Sequence, residues 1–228
     1  MDFECIIYDK QEGVAVIRLN RPQVLNAMNK QLWLDMQAAL DDARADDGIK
    51  VVVITGEGRA FSTGADLKES KTRSIEDYRD YLVSLQEASR AIIRFEKPTI
   101  AAINGYAIGS GYELALACDI RIAAEDAKIG SPEAKVTSSV TGGAFRLVQD
   151  LIGPGMAREL LFTGEYIDGS EARRIGLVNR AVPAEKLMET VMEMAARIAA
   201  NSSFSLKMIK KGLNMALGEV SLEALMDR

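Results

Sequence analysis

Two short segments of this 228-residue chain put small residues where a ligand can meet bare backbone. The first is Phe61-Ser62-Thr63-Gly64-Ala65-Asp66-Leu67-Lys68-Glu69-Ser70. The second is Asn104-Gly105-Tyr106-Ala107-Ile108-Gly109-Ser110-Gly111-Tyr112-Glu113. Each follows an apolar run suited to a buried strand and precedes a helical pattern. Glycine permits close approach, and the start of a helix offers N–H groups without intrahelical partners, which favours negative charge. Brought together, two such turns can hold an oxyanion. Taken singly, each reads equally well as a tight strand-to-helix turn. Two carboxylates stand beside them. Glu113 leads the apolar run Leu114 to Cys118 and is either a helix-dipole partner or an acid-base group. Glu133, in Gly130-Ser131-Pro132-Glu133, reads on spacing alone as an ordinary loop acid.

Composition narrows what this chemistry can be. There is no histidine, which removes every mechanism needing imidazole as base, shuttle or metal ligand. The glycines of the second turn are spaced GxxxGxG and not GxGxxG, and no GK[ST] phosphate loop occurs, so a dinucleotide or nucleoside triphosphate reading is weak. The charge balance of 28 basic against 33 acidic residues, net −5, argues against a broad nucleic-acid surface. Cys5 and Cys118 form no CxxC pair, the N-terminus lacks a basic stretch followed by an apolar one, and no run reaches a membrane span. A cytoplasmic protein with neither a membrane nor a nucleic-acid partner is expected.

The elements that must position these residues alternate. Val14–Asn20 reads as a strand stopped by Arg21-Pro22. Leu32, Trp33, Met36, Leu40 and Ala43 mark a helix over 30–44 with Asn29 as its cap, and Val51–Thr55 is a buried strand. Tyr81, Leu82, Leu85, Ala88, Ile92 and Phe95 mark the next helix. Thr99–Ile103 is a strand, a short helix runs through Cys118, and Asp119–Ala124 is a strand again. Such alternation predicts an α/β fold. Beyond Gly153-Pro154 the pattern is almost wholly helical: Met156–Thr163, Leu187–Ile198 and Phe204–Leu217.

FSTGADLKES at 61–70, NGYAIGSGYELALACDIRIAA at 104–124, SPE at 131–133, TGEYIDGSEARRIGLVN at 163–179 and RPQVLNAM at 21–28 together resemble the enoyl-CoA hydratase/isomerase family, with its crotonase fold. The resemblance covers nearly the whole chain in order. It implies a spiral of ββα units over 1–153 carrying an acyl-CoA site. A helical region over 154–228 would assemble homotrimers or dimers of trimers. It further implies that the backbone N–H groups of Ala65 and Ser110 hold the thioester oxygen, that Glu113 positions and deprotonates a water attacking C3, and that Glu133 exchanges a proton at C2. Val24, Thr63, Ala65, Asp66 and Leu67 would border coenzyme A, Ser110 the substrate, and Lys68 a phosphate. Coenzyme A enters as part of the substrate, with no separate cofactor and no metal. Members that only isomerise usually keep one of the two glutamates, so the pair favours an enoyl-CoA hydratase. An isomerase or a C–C bond-cleaving acyl-CoA hydrolase of the same fold is the alternative, followed by a non-catalytic or RNA-binding member.

Three departures from the family pattern stand out. Gly109-Ser110-Gly111 replaces a glycine triplet, so a side chain projects from one candidate donor. The loop Ala134–Gly143 lacks the usual leucine-glycine and proline-glycine pattern and is about one residue short. The sequence ends at Arg228, about one helix earlier than many members, so either a more open pocket or a piece of a longer chain is expected.

Overall fold

The computed structural model describes residues 2–66, 86–141 and 143–216. Leu67 and Lys68, the first five residues of the helix expected from Tyr81 (with Tyr81, Leu82 and Leu85), Gly142 of the expected loop and Leu217 lie outside the described residues.

Among the described residues six strands form the larger sheet: β1 (Ile6–Gln11), β2 (Val14–Leu19), β3 (Val51–Gly56), β5 (Thr99–Ile103), β7 (Ile120–Ala124) and β10 (Arg180–Val182), in that spatial order. β1 and β2 make an antiparallel hairpin, and every other pair in this sheet is parallel. A second sheet joins the short strands β4 (Ala60–Ser62), β6 (Tyr106–Ile108), β8 (Lys128–Gly130) and β9 (Ile167–Asp168). The chain therefore advances by repeats of a long strand, a short strand and a helix. β5, β6 and α2 (Ser110–Ala117) make one turn; β7, β8 and α3 (Ala144–Thr163) make the next. This is the ββα spiral that the family resemblance implies.

The central strands read as continuous apolar runs because both faces of the sheet are covered. Val51 and Val53 join Val14, Val16, Ile100, Ala102 and Ile122 in a cluster with Leu187, Val191 and Ala195 of α5 (Leu187–Ala199). Val52 and Ile54 face the other way, into the main core with Leu32, Trp33 and Met36 of α1 (Lys30–Ala45). Burial of each Leu or Val on the α5 face contributes about 1.5–3 kcal/mol. Asn29 caps α1 as expected, its side chain accepting from the Leu32 N–H at 3.0 Å.

Three differences from the sequence pattern have physical causes. β1 is an edge strand whose second half is exposed, so it carries no clear alternation. The strands of the second sheet are two or three residues long, too short to show a period. Finally, the helical pattern begins at Ala144 rather than Met156, because Gly153-Pro154 kinks α3 instead of opening it. Gly153 turns out of the helix at φ 77°, and Pro154 restarts it, where a missing N–H costs nothing.

After the kink the chain is not purely helical. β9 pairs with β8, α4 (Gly169–Arg174) follows, and β10 extends the large sheet beside β7 before α5 and α6 (Ser203–Ala216). Among the described residues no helix is long and apolar enough to cross a membrane.

Candidate active site

The site forms where three loops meet at the N-terminus of α2. The loop after β2 is held to the loop after β4 by a dense set of bonds. The Met28 N–H donates to the Gly64 carbonyl at 2.7 Å, and the Asp66 N–H donates to the Met28 carbonyl at 3.1 Å. In a parallel bridge of this kind the residue between the two bonded ones turns its own N–H away from the partner strand, so the Ala65 amide faces the opposite side. Further ties come from Ser62, whose hydroxyl donates to the Asn26 carbonyl at 2.8 Å. Buried Asn26 in turn donates to the carbonyls of Glu57 and Ala60 at 2.9 and 2.7 Å.

The second turn closes onto the first because glycine leaves room. A Cβ on Gly111 would stand 2.2 Å from the Ser62 carbonyl oxygen, so only glycine lets the first turn of α2 settle on β4. Gly64, at φ +87°, presses against the other turn: a Cβ there would stand 2.9 Å from the Ile108 oxygen and 3.0 Å from the Ser110 nitrogen. Ser110 is the first residue of α2, with Gly109 as cap, so its N–H has no intrahelical partner. The structure thus brings the Ala65 and Ser110 amides to one place, as two sequence-distant glycine turns can.

Both glutamates lie at the same end of α2. Glu113 is 4% exposed and its carboxylate is gripped from the loop before α3. The Thr141 N–H donates to Oε1 at 2.5 Å and the Thr141 hydroxyl donates to Oε2 at 2.8 Å. Burial pushes the Glu113 carboxyl up to about 7. The two Thr141 donors oppose that rise, and the neighbouring charge of Glu133 adds to it. Glu133 opens a 3-10 turn, Glu133–Lys135, and accepts from the hydroxyl of buried Ser131. It sits against the cap of α2, since a Cβ on Gly109 would stand 2.9 Å from Glu133 Oε1. Glu133 is therefore no free loop acid, as spacing alone would have it. One loop links the two acids: Val136 and Ser138 donate their N–H groups to the Glu133 carbonyl, and Thr141 ends the loop on Glu113.

Beside Glu133 lies a cavity of about 300 Å³, lined by Val140, Phe145, Leu161 and Phe162 together with Ser139, Gln149 and Arg158. The remaining candidates gather on the side of the first turn. Val24 is half-buried in the 3-10 turn Pro22–Val24, and Thr63 donates through both its N–H and its hydroxyl to the Leu25 carbonyl at 3.1 and 3.3 Å. Asp66 is buried and paired with Arg21 at 2.9 Å, so its carboxylate ties the two loops together. Arg21, Asn26, Ser131 and Thr141 were not singled out from sequence. Polar residues beside Pro, Gly or Glu in loops carry no spacing signal of their own.

Two backbone amides on adjoining turns beside two carboxyls, one of them buried, form an arrangement of the kind that can stabilise a developing oxyanion while protons move. Comparison with known proteins gives the family. The enoyl-CoA hydratase/isomerase family model matches residues 9–227. A crotonyl-CoA hydratase of Syntrophomonas wolfei is 39% identical over 94% of this chain and 83% of its own length. A short-chain-enoyl-CoA hydratase of Clostridium acetobutylicum is 36% identical over 95% and 84%. Among solved structures, an enoyl-CoA hydratase/isomerase from Xanthobacter autotrophicus Py2 superposes with a TM-score of 0.92 at 35% identity, covering 99% of this chain and 85% of that one. The chain belongs to the enoyl-CoA hydratase/isomerase family.

Proposed function

We propose that this protein is an enoyl-CoA hydratase, a hydro-lyase that adds water reversibly to a 2-enoyl-CoA to give a 3-hydroxyacyl-CoA. The observation that carries the reading is the pairing of two carboxyls, Glu113 and Glu133, at the α2 terminus where the Gly64 turn packs against Ser110. The thioester oxygen accepts from those two N–H groups. Glu113, ionised, takes a proton from water as the hydroxide oxygen bonds C3. The π electrons move toward C2 and the thioester oxygen becomes enolate-like, its charge met by amide dipoles that need no reorganisation. Glu133 delivers a proton to C2, the enolate collapses, and the acids exchange states for the next turnover. Each amide donor is worth about 3 kcal/mol of barrier, and each acid about a hundredfold or more in rate.

The acyl chain enters the cavity beside Glu133, whose volume of about 300 Å³ suits a short chain. The relatives named crotonyl-CoA and short-chain-enoyl-CoA hydratase support that size. The first-turn backbone from Thr63 to Asp66, with Val24, borders coenzyme A. The chain assembles as a trimer or dimer of trimers. Support comes from α6, which exposes Phe204, Ile209 and Leu213 on its surface. Two buried, unpaired cysteines suit a reducing cytoplasm.

Product masses test the reaction class. With 2-enoyl thioesters of short, long and cyclic acyl groups, hydration adds one water to the product. Isomerisation leaves the mass unchanged, and hydrolytic cleavage opens a ring or splits the acyl chain; either result in place of hydration overturns the proposal.

A further inference from the structure

We propose that Thr141 is the positioning residue of Glu113, and that its hydroxyl, facing Oε2, marks Oε2 as the oxygen that takes up and releases the catalytic proton. The inference rests on the hydratase reading and goes beyond it by naming the group that directs the base. The geometry carries the argument. One residue supplies one donor to each carboxylate oxygen, 2.5 Å to Oε1 from its backbone and 2.8 Å to Oε2 from its side chain. A backbone N–H can only donate, so a proton on Oε1 would point at another proton. A hydroxyl can rotate from donor to acceptor, so it serves Oε2 both before and after proton uptake.

No other titratable group offers Glu113 a comparable partner among the described residues. Glu133, on its 3-10 turn, is a second carboxyl. Tyr112, next to it on α2, is a buried phenol that burial holds neutral. The helix packed against α2 is α3, which buries Ala144 and Val148, and its Arg146 is paired with Asp150 at 2.6 Å. Thr141 is thus the polar control on this carboxyl. It sits on the loop whose sequence departs from the family pattern, so the device is a property of this chain's own loop.

Thr141→Val keeps the shape and the backbone donor but deletes the hydroxyl, and Thr141→Ser restores it. In Thr141→Val, kcat for crotonyl-CoA hydration falls about tenfold with KM nearly unchanged. The acid limb of the kcat/KM profile moves about one pH unit higher, because the ionised form has lost a donor. Thr141→Ser returns both toward wild type. A second readout needs no turnover: carbon-13 NMR of labelled glutamate carboxyls, with Glu113 assigned by its loss in Glu113→Gln. The Glu113 midpoint rises in Thr141→Val and not in Thr141→Ser. If the valine variant fails to fold, Thr141→Ala takes its place. An unmoved midpoint on loss of the hydroxyl, or a serine variant shifted as far as the valine one, overturns the proposal. Failure of wild type to hydrate any enoyl-CoA, with the midpoint still governed by the hydroxyl, overturns the hydratase reading alone.

Discussion

Gly64 lies against Ser110 so closely that a Cβ on Gly64 would stand 3.0 Å from the Ser110 nitrogen. That contact joins two turns 46 residues apart in sequence into one amide pair. It makes the proposed oxyanion site a consequence of packing, in that whatever separates the turns separates the two amides. Gly64→Ala adds both a methyl at this contact and a side chain at φ +87°. The expected outcome is a kcat about a hundredfold lower, as for loss of one oxyanion donor, together with roughly 2 kcal/mol of stability. Steady-state kinetics and urea unfolding check both.

Glu113→Gln keeps the size of the side chain and removes its proton chemistry. Hydration by this variant should fall by about two to four orders of magnitude in kcat while KM for the acyl-CoA changes little. Turnover near the wild-type level would remove Glu113 from the mechanism.

Glu133→Gln acts on the other proton. Besides a similar loss of kcat, it should suppress exchange of the C2 hydrogen of a 3-hydroxyacyl-CoA with solvent deuterium, followed by proton NMR. Exchange at the wild-type rate would assign that step to another group.

The raised Glu113 carboxyl has two consequences of opposite kind. As the proposed base it must be ionised, so kcat/KM should fall as pH drops through about 7. For folding the sign is reversed. Between about 4.5, the ordinary carboxyl value, and 7 the folded protein holds a proton that the unfolded chain releases. Stability is therefore full below that window and declines as pH rises through it, by about 3 kcal/mol in total. Urea unfolding across this range should show the decline in wild type and lose it in Glu113→Gln.

Much of the fold was legible because its long strands and α1 carry strong patterns. Val51–Thr55 and Thr99–Ile103 are unbroken apolar runs, and the α1 stripe with its Asn29 cap specifies both ends of a helix. The second sheet was not legible, since three-residue strands such as Ala60–Ser62 are set by tertiary pairing rather than local pattern. Gly153-Pro154 misled for a related reason: the dipeptide that ordinarily ends a helix here bends one. In the site, Glu113 and Glu133 were singled out by their place beside the turns and given roles by family resemblance. Thr141 and Ser131 were not, because a hydroxyl becomes part of a site only through what it touches, and Thr141 lies 28 residues from the carboxylate it holds.

The proposed reaction adds one water across C2 and C3 with this pair of acids. Its most direct test is conversion of crotonyl-CoA in oxygen-18 and deuterium-labelled water, with the product analysed by mass and NMR. The expected product is a 3-hydroxy thioester carrying the heavy oxygen at C3 and one deuterium at C2, formed by wild type and nearly lost in Glu113→Gln. A product with deuterium but no heavy oxygen, or equal turnover by the variant, would contradict it.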